Sequence, residues 1–173
     1  MRAAVLMLGF LPGCILVRTS EHRIRFTGAG SGEAFLRLID IRSDGKTEAA
    51  IEEDYDLLMK LYREDGLPAF EREGRKVTGK QLIVRGDTLI AEIRYTFSSF
   101  TALEGMRLVS DELFVVVTPE REIVRTNGSI ESFEGNTKRI MWDLSTERLQ
   151  YQITEKSLPS SISLTERYRK SEK

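Results

Sequence analysis

Few side chains in this sequence could perform nucleophilic or acid–base chemistry. The 173 residues include one histidine, His22, and one cysteine, Cys14. A nucleophilic hydrolase needs a base within reach of its nucleophile, so such a site would have to use His22. This residue precedes an alternating segment with Arg23 and Arg25, and we interpret it as a surface histidine on the arginine side of a strand. No catalytic residue of this kind is therefore predicted.

Paired carboxylates offer the remaining route to catalysis. Four acids cluster in one short segment, at Glu52, Glu53, Asp54 and Asp56. Hydrolysis of glycosides needs two acids that face each other across a cleft, one of them with a raised pKa. Neighbouring acids on a helix usually form a solvated face instead. We predict a protein without enzymatic activity, with an envelope hydrolase that uses a carboxylate pair as the alternative.

The sequence also gives little support for a metal or a bound cofactor. A single cysteine excludes an intramolecular disulfide and a cysteine-based zinc cluster, and a single histidine leaves few ligands for transition metals. The glycine-rich segment 28–32 lacks the Gly-Lys-Ser/Thr of a phosphate loop, and a strand rather than a helix follows it. We therefore expect a turn at 28–32, with no metal and no cofactor.

Composition describes an ordinary globular chain. Hydrophobic residues make up 40% of the sequence and charged residues 31%, and the net charge is -1. This length suits one domain with one core. The balanced charge gives no general attraction to nucleic acid, so no nucleic-acid partner is predicted.

The first 14 residues have the character of a secretory leader. One charge, Arg2, precedes a nearly unbroken apolar run from Ala3 to Leu11, which is too short to span a bilayer. The run ends in Leu11-Pro12-Gly13-Cys14. This ending resembles the lipobox of bacterial lipoproteins, in which Leu stands three places before the cysteine and a small residue directly before it. Pro12 departs from the more common Ala or Ser.

The resemblance implies a signal peptide at 1–13, cleavage between Gly13 and Cys14, and palmitate-type acylation of Cys14 on its sulfur and on its new amine. Several acyl chains give a stable membrane anchor. In enterobacteria Asp after the cysteine retains a lipoprotein at the inner membrane. Ile15 at that place favours the outer membrane, if the organism has two membranes. The other interpretation is a buried N-terminal strand in which Cys14 is a small core residue.

Hydrophobic periodicity predicts an α+β fold. Ile24 and Phe26 alternate with arginines in a first strand at 22–28, and a second strand covers 33–41. A helix is predicted at about 47–64 from a stripe that includes Ile51 and Leu58. The rest of the chain alternates as strands, the clearest at 89–97. We expect a mainly antiparallel sheet of about seven to nine strands, with the helix packed on one face.

These patterns divide the chain into a signal peptide at 1–13, a lipid-anchored tether at 14–21, one β-rich domain at 22–155 and a polar tail at 156–173. The tail is expected to be either disordered or a weak terminal helix. The domain is loosely similar to envelope lipoproteins of unknown function, a resemblance that adds no catalytic residues. Asn127-Gly128 is typical of a tight hairpin turn.

Two groups of residues are candidates for binding. Tyr55, Phe97, Phe114 and Trp142 form either the core or an apolar pocket for a hydrophobic ligand. Arg23 and Arg25, with Arg37 and Arg42, are candidates for contacts with lipid head groups or an anionic polymer. The sequence thus predicts a non-catalytic cell-envelope lipoprotein that acts through a binding surface or an apolar pocket, with a protein partner or a hydrophobic ligand.

Overall fold

The computed structural model describes residues 15–64, 67, 70–71 and 73–172. Two α-helices are present in this part of the chain, α1 at Glu48–Arg63 and α2 at Thr165–Ser171. Short 3₁₀ helices lie at Phe100–Ala102 and Glu134–Asn136. The strands are β1 Ile15–Phe26, β2 Gly32–Ser43, β3 Arg75–Arg85, β4 Thr88–Phe97, β5 Met106–Val109, β6 Glu112–Val117, β7 Arg121–Thr126, β8 Ser129–Ser132, β9 Lys138–Asp143, β10 Arg148–Glu155 and β11 Ile162–Ser163.

The strands form two antiparallel sheets. The larger sheet has the order β3-β4-β2-β1-β10-β7, with β11 paired to β2, and the smaller sheet has the order β5-β6-β9-β8. The predicted α+β class and the principal helix are confirmed. The described strands number eleven in two sheets rather than seven to nine in one. Short strands such as β5 and β11 carry too few residues for their alternation to be recognised.

A single hydrophobic core joins both sheets and helix α1. Leu58 of α1, Leu89 of β4, Ile140 of β9 and Leu149 of β10 are all at most 1% exposed and belong to one cluster. The Thr47 side chain caps α1 by accepting a hydrogen bond from the Ala50 N–H. No helix in the described ranges is both long enough and apolar enough to cross a membrane.

The face of β2 that points to the core changes at Asp40. Before this residue Leu36 and Leu38 are buried, whereas after it Ile41 and Ser43 are the buried positions. Asp40 has a φ of 62°, which breaks the two-residue alternation of an extended strand. The buried Ser43 hydroxyl then donates to the Asp54 carboxylate of α1 at 2.5 Å.

The first strand begins earlier than the sequence indicates. Ile15 already pairs with Ser43, so residues 15–21, which we expected to form a tether, belong to the sheet. Ile15 and Leu16 are buried, and Glu21 is covered by arginines from neighbouring strands. Because those arginines lie far along the chain, their contribution could not be foreseen from the local alternation.

The C-terminal segment, which we expected to be a polar tail at 156–173, is folded against the domain as far as residue 172. Strand β11 pairs with β2, and Leu164 is completely buried, with its N–H bonded to the Ile41 carbonyl. In α2, Arg167 binds Glu48 and Glu52 of α1. One buried leucine in a polar segment is a weak sequence signal, although it is sufficient to dock the segment.

Asn127-Gly128 is not the turn of a hairpin, and this prediction is wrong. It connects β7 of the larger sheet to β8 of the smaller one. The Asn127 side-chain oxygen accepts from the Trp142 indole and from the Gln150 N–H, each at 2.8 Å. A Cβ on Gly128 would lie 2.7 Å from the Trp142 ring, so glycine is required there for close packing.

Leu164→Ala tests the docking of the C-terminal segment. We expect a loss of about 2–4 kcal/mol in the free energy of unfolding, because a fully buried leucine is removed. Ile162→Ala is the matched control, since Ile162 is 50% exposed and should cost less than about 1 kcal/mol. Urea denaturation measures both changes. Equal costs would show that the segment does not pack against the core.

Candidate binding groove

The outer face of the larger sheet, opposite the core, carries a row of buried charges. Across the strands the row reads Gln81 on β3, Glu92 on β4, Arg37 on β2 and Glu21 on β1. Arg37 donates to Glu92 at 2.6 and 2.9 Å and to Glu21 at 3.3 Å. Glu21 and Glu92 are only 3% and 5% exposed. Each carboxylate therefore has a cationic partner, as buried charges require.

Both carboxylates have further partners. Gln81 donates to the second oxygen of Glu92 at 2.7 Å, and Arg23 and Arg125 each bind Glu21 at 2.6 Å. Burial by itself would raise the pKa of Glu92, but the hydrogen bonds from Gln81 and Arg37 outweigh it and hold that pKa below its usual value. Glu92 is thus an ionised structural group, and the acid-catalyst role would need the opposite shift.

The next row forms the floor of an open groove. Phe35 on β2 lies directly between Arg23 on β1 and Arg94 on β4, and Gln150 on β10 follows Arg23. The guanidinium carbons of Arg23, Arg37 and Arg94 lie 5.6, 5.3 and 5.4 Å from the centre of the Phe35 ring. These distances are within the range of cation–π attraction.

We call this depression the phenylalanine–arginine groove. It has a volume of about 580 Å³, and its polar and aromatic lining comes from strands β1, β2, β3, β4 and β10. The defining side chains are Arg23, Arg25, Phe35, Arg94, Arg148 and Gln150, with Thr78 and Thr96 at one side. The groove therefore combines an aromatic floor with cationic and neutral polar groups.

The positive charge of the groove is only partly compensated. Glu33 is the single carboxylate among its lining residues, and it lies 3.4 Å from Arg25 in a pair that is more than half exposed. Arg94 and Arg148 are exposed, and neither has a carboxylate partner among the described residues. An exposed ion pair contributes little, so the groove retains a local positive field although the chain has a net charge of -1.

Strand β3 leaves the Arg94 side of the groove open. Gly79 is the residue paired with Arg94, and a Cβ on it would meet nothing within 4 Å. The pairing register also shifts between Val77 and Gly79, which places the extra residue, Thr78, at the groove. Bulges of this type redirect side chains at the edges of sheets.

The arginines that we predicted to bind anions divide into two groups. Arg23 and Arg25 line the groove, whereas Arg37 is bound to the buried Glu21 and Glu92 in the neighbouring row. Arg42 lies near the other end of β2, where it contacts Asp40 and Ser161. Sequence reasoning therefore identified one side of the groove.

Phe35, Arg94 and Arg148 were missed. One signal was available: in the alternation of β2, Phe35 falls on the polar side with Glu33 and Arg37, while Ala34 and Leu36 are buried. An aromatic residue on the polar face of a strand indicates a surface contact. The convergence of Arg94 and Arg148 depends on the strand order, which local patterns do not encode.

The four residues proposed for an apolar pocket are all buried. Tyr55, Phe97 and Trp142 belong to the core cluster. Phe114 lies on the outer face of the smaller sheet, with the Arg139 guanidinium 4.9 Å from its ring centre. None of the four lines the phenylalanine–arginine groove.

An apolar groove of about 340 Å³ is present elsewhere, beside the Gly28–Gly30 turn. Phe26, Phe100 and Leu113 line it together with Leu108 and Leu144, which are 36% and 47% exposed. It contains no charged side chain, and Ser99 is the one polar side chain in its lining.

His22 does not lie on the arginine face. Its side chain is on the same side of β1 as the buried Ile24, and its ring stacks on Tyr151 with 4.4 Å between centroids. Burial lowers the pKa of His22 to about 4, so the imidazole is neutral at pH 7. Our interpretation as a surface residue on the arginine face is wrong, because His22 lies on the core side of β1, where the Tyr151 ring of the neighbouring strand β10 packs on it.

The acids of α1 are placed on different sides of the helix. Glu52 binds Arg167, Asp54 is buried against Ser43, and Glu53 and Asp56 are exposed. In the part of the chain that the structure describes, no group of three or more His, Cys, Asp or Glu side chains could hold a metal ion. Cys14 and the rest of Leu11-Pro12-Gly13-Cys14 lie outside the described residues.

Comparison with known proteins gives no assignment: no family model, no curated protein and no solved structure matches this chain. The functional argument therefore depends on the groove itself.

His22→Phe should flatten the pH dependence of stability. Between about pH 6.5 and about pH 4 the unfolded chain binds a proton that the folded chain rejects, so the wild type loses up to about 3 kcal/mol as the pH falls. Phenylalanine keeps the stacking on Tyr151 and removes this loss. Urea denaturation of both proteins between about pH 7 and about pH 4.5 measures the difference. Parallel losses in the two proteins would contradict the burial of a neutral imidazole.

Proposed function

We propose that this protein is a non-catalytic lipoprotein of the cell envelope that binds an anionic ligand in the phenylalanine–arginine groove. The observation that carries the proposal is a pair of exposed arginines, Arg94 and Arg148, that have no carboxylate partner among the described residues. Arg94 lies beside Phe35, and Arg148 lies beside Arg25 in the next row of the sheet. Charge-assisted hydrogen bonds from arginine are strong and directional, which suits recognition of carboxylate or phosphate.

The neighbouring row of buried charges, from Gln81 to Glu21, supports a binding role rather than catalysis. Glu21 and Glu92 both contact Arg37, and these ion pairs hold its guanidinium beside the Phe35 ring. A rigid row of ion pairs keeps the neighbouring row around Phe35 in one arrangement. Preorganisation of this kind reduces the entropy lost on binding. The same pairing keeps Glu92 ionised, so Glu92 is not the proton donor that a hydrolase with a carboxylate pair requires.

The envelope location rests on the lipobox-like residues Leu11, Gly13 and Cys14. Since β1 begins at Ile15, a lipid on Cys14 would be attached directly to the sheet, without a flexible spacer. Arg23 is eight residues further along the strand, or roughly 26 Å away at 3.3 Å per residue. We therefore propose a ligand in solution or in the cell wall, rather than the head groups around the protein's own anchor.

Loss of the two unpaired arginines tests the binding proposal. We expect the full chain to bind inorganic polyphosphate in a salt-dependent manner, and Arg94→Gln with Arg148→Gln to weaken this binding by roughly tenfold or more. The control is Arg107→Gln with Lys138→Gln, which removes the same charge from exposed sites on the smaller sheet. Isothermal titration calorimetry gives both affinities. Equal losses of affinity in the two double variants would show that binding depends only on net charge, and this would reject the groove as the binding site.

The anchor is tested separately by Cys14→Ser. In a bacterial host supplied with a tagged fatty acid, we expect the wild type to be labelled and to sediment with membranes, and the variant to do neither. Intact mass of the wild type should show cleavage before Cys14 and the added acyl chains, and the variant should lack the acyl chains. An unlabelled wild type that retains Met1 or Arg2 would reject the lipoprotein proposal and leave the groove proposal standing.

A further inference from the structure

The positions of the charges around Phe35 restrict the shape of the ligand. Arg94 is on β4 and Arg148 on β10, with β2 and β1 between them, and Arg148 pairs with Arg25, two residues beyond Arg23. Their backbones are therefore three strand spacings across and two residues along the sheet from each other, or roughly 16 Å apart. The Phe35 ring, Arg23 and the Arg25–Glu33 ion pair occupy the space between them. A ligand that contacts both arginines without displacing these groups must carry its negative charges at separate points along its length.

The groups between the charges indicate what connects them. Phe35 is half-buried in the floor, and it offers an apolar surface where a flat ring can lie. Thr78, Thr96 and Gln150 line the same groove, and their hydroxyl and amide groups can both donate and accept hydrogen bonds. Hydroxyl groups of a ligand need partners that do both, whereas a bare polyphosphate chain would use donors alone.

An acidic sugar chain combines these properties. Its rings have an apolar C–H face for Phe35, its hydroxyl groups match Thr78, Thr96 and Gln150, and its carboxylates or phosphates recur at intervals for Arg94 and Arg148. Resting on the anion-binding function proposed above, we propose that the phenylalanine–arginine groove binds a segment of an acidic polysaccharide. In this arrangement the ring packs on Phe35 between the two arginines.

The test compares probes that share charge and differ in the ring. The full chain is titrated calorimetrically with oligogalacturonate, with an uncharged malto-oligosaccharide of the same length, and with inorganic polyphosphate. Phe35→Leu removes the aromatic surface and keeps every charge. Phe133→Leu is the matched control, because Phe133 is a 40% exposed ring that lies under Arg139 on the smaller sheet. Thermal denaturation establishes that both variants are folded.

We expect Phe35→Leu to weaken oligogalacturonate binding by about fivefold and to change polyphosphate binding by less than about twofold. Phe133→Leu should alter neither, and the uncharged sugar should bind far more weakly than oligogalacturonate. An equal effect of Phe35→Leu on both anions, or no effect on either, would overturn the saccharide inference while the anion-binding function stands. Tighter binding to phosphatidylglycerol vesicles than to oligogalacturonate would overturn it too. If none of the anions binds, the proposed function itself fails.

Discussion

Arg37 between Glu21 and Glu92 is the interaction on which the outer face of the larger sheet depends. The three residues lie on three adjacent strands, β2, β1 and β4, so their ion pairs connect segments that are 16 and 55 positions apart in the sequence. A carboxylate that is nearly inaccessible to solvent must have cationic or hydrogen-bonding partners, and one that lost them would destabilise the fold. The row therefore fixes which residues of these strands stand opposite one another, in addition to stabilising them.

The charges on this face of the sheet are of two kinds, those of the buried row and those of the groove beside it. In the row of buried charges every carboxylate is paired. Glu92 is bound by Arg37 and Gln81, and Glu21 is bound by three arginines. In the groove the arginines outnumber the acids, and Arg94 and Arg148 contact no carboxylate among the described residues. The contrast between the two rows supports the proposal that the groove binds an anion.

Local patterns in the sequence were enough for the fold class, and they singled out two of the arginines that line the groove. Strict alternation located β4, and the apolar stripe of Ile51 and Leu58 located α1. The same reasoning failed where distant segments decide the outcome. The His22 ring stacks on Tyr151 of β10, the position of the Trp142 ring requires Gly128, and the Ile41 carbonyl accepts a hydrogen bond from the Leu164 N–H. Likewise Arg23 and Arg25 could be recognised as neighbours in one strand, but Arg94 and Arg148 join them only through the order β4-β2-β1-β10.

The distribution of cations along β1 bears on how the groove and the proposed anchor are related. At the Ile15 end, where a lipid on Cys14 would be, Arg18 and Arg42 are both bound to Asp40. At the far end Arg25 has a weak partner and Arg148, its pairing residue on β10, has no acid among those described. Binding to head groups would require the reverse, with free cations nearest the lipid. The charge pattern instead fits the proposal of an anion-binding face that is directed away from the proposed anchor on Cys14.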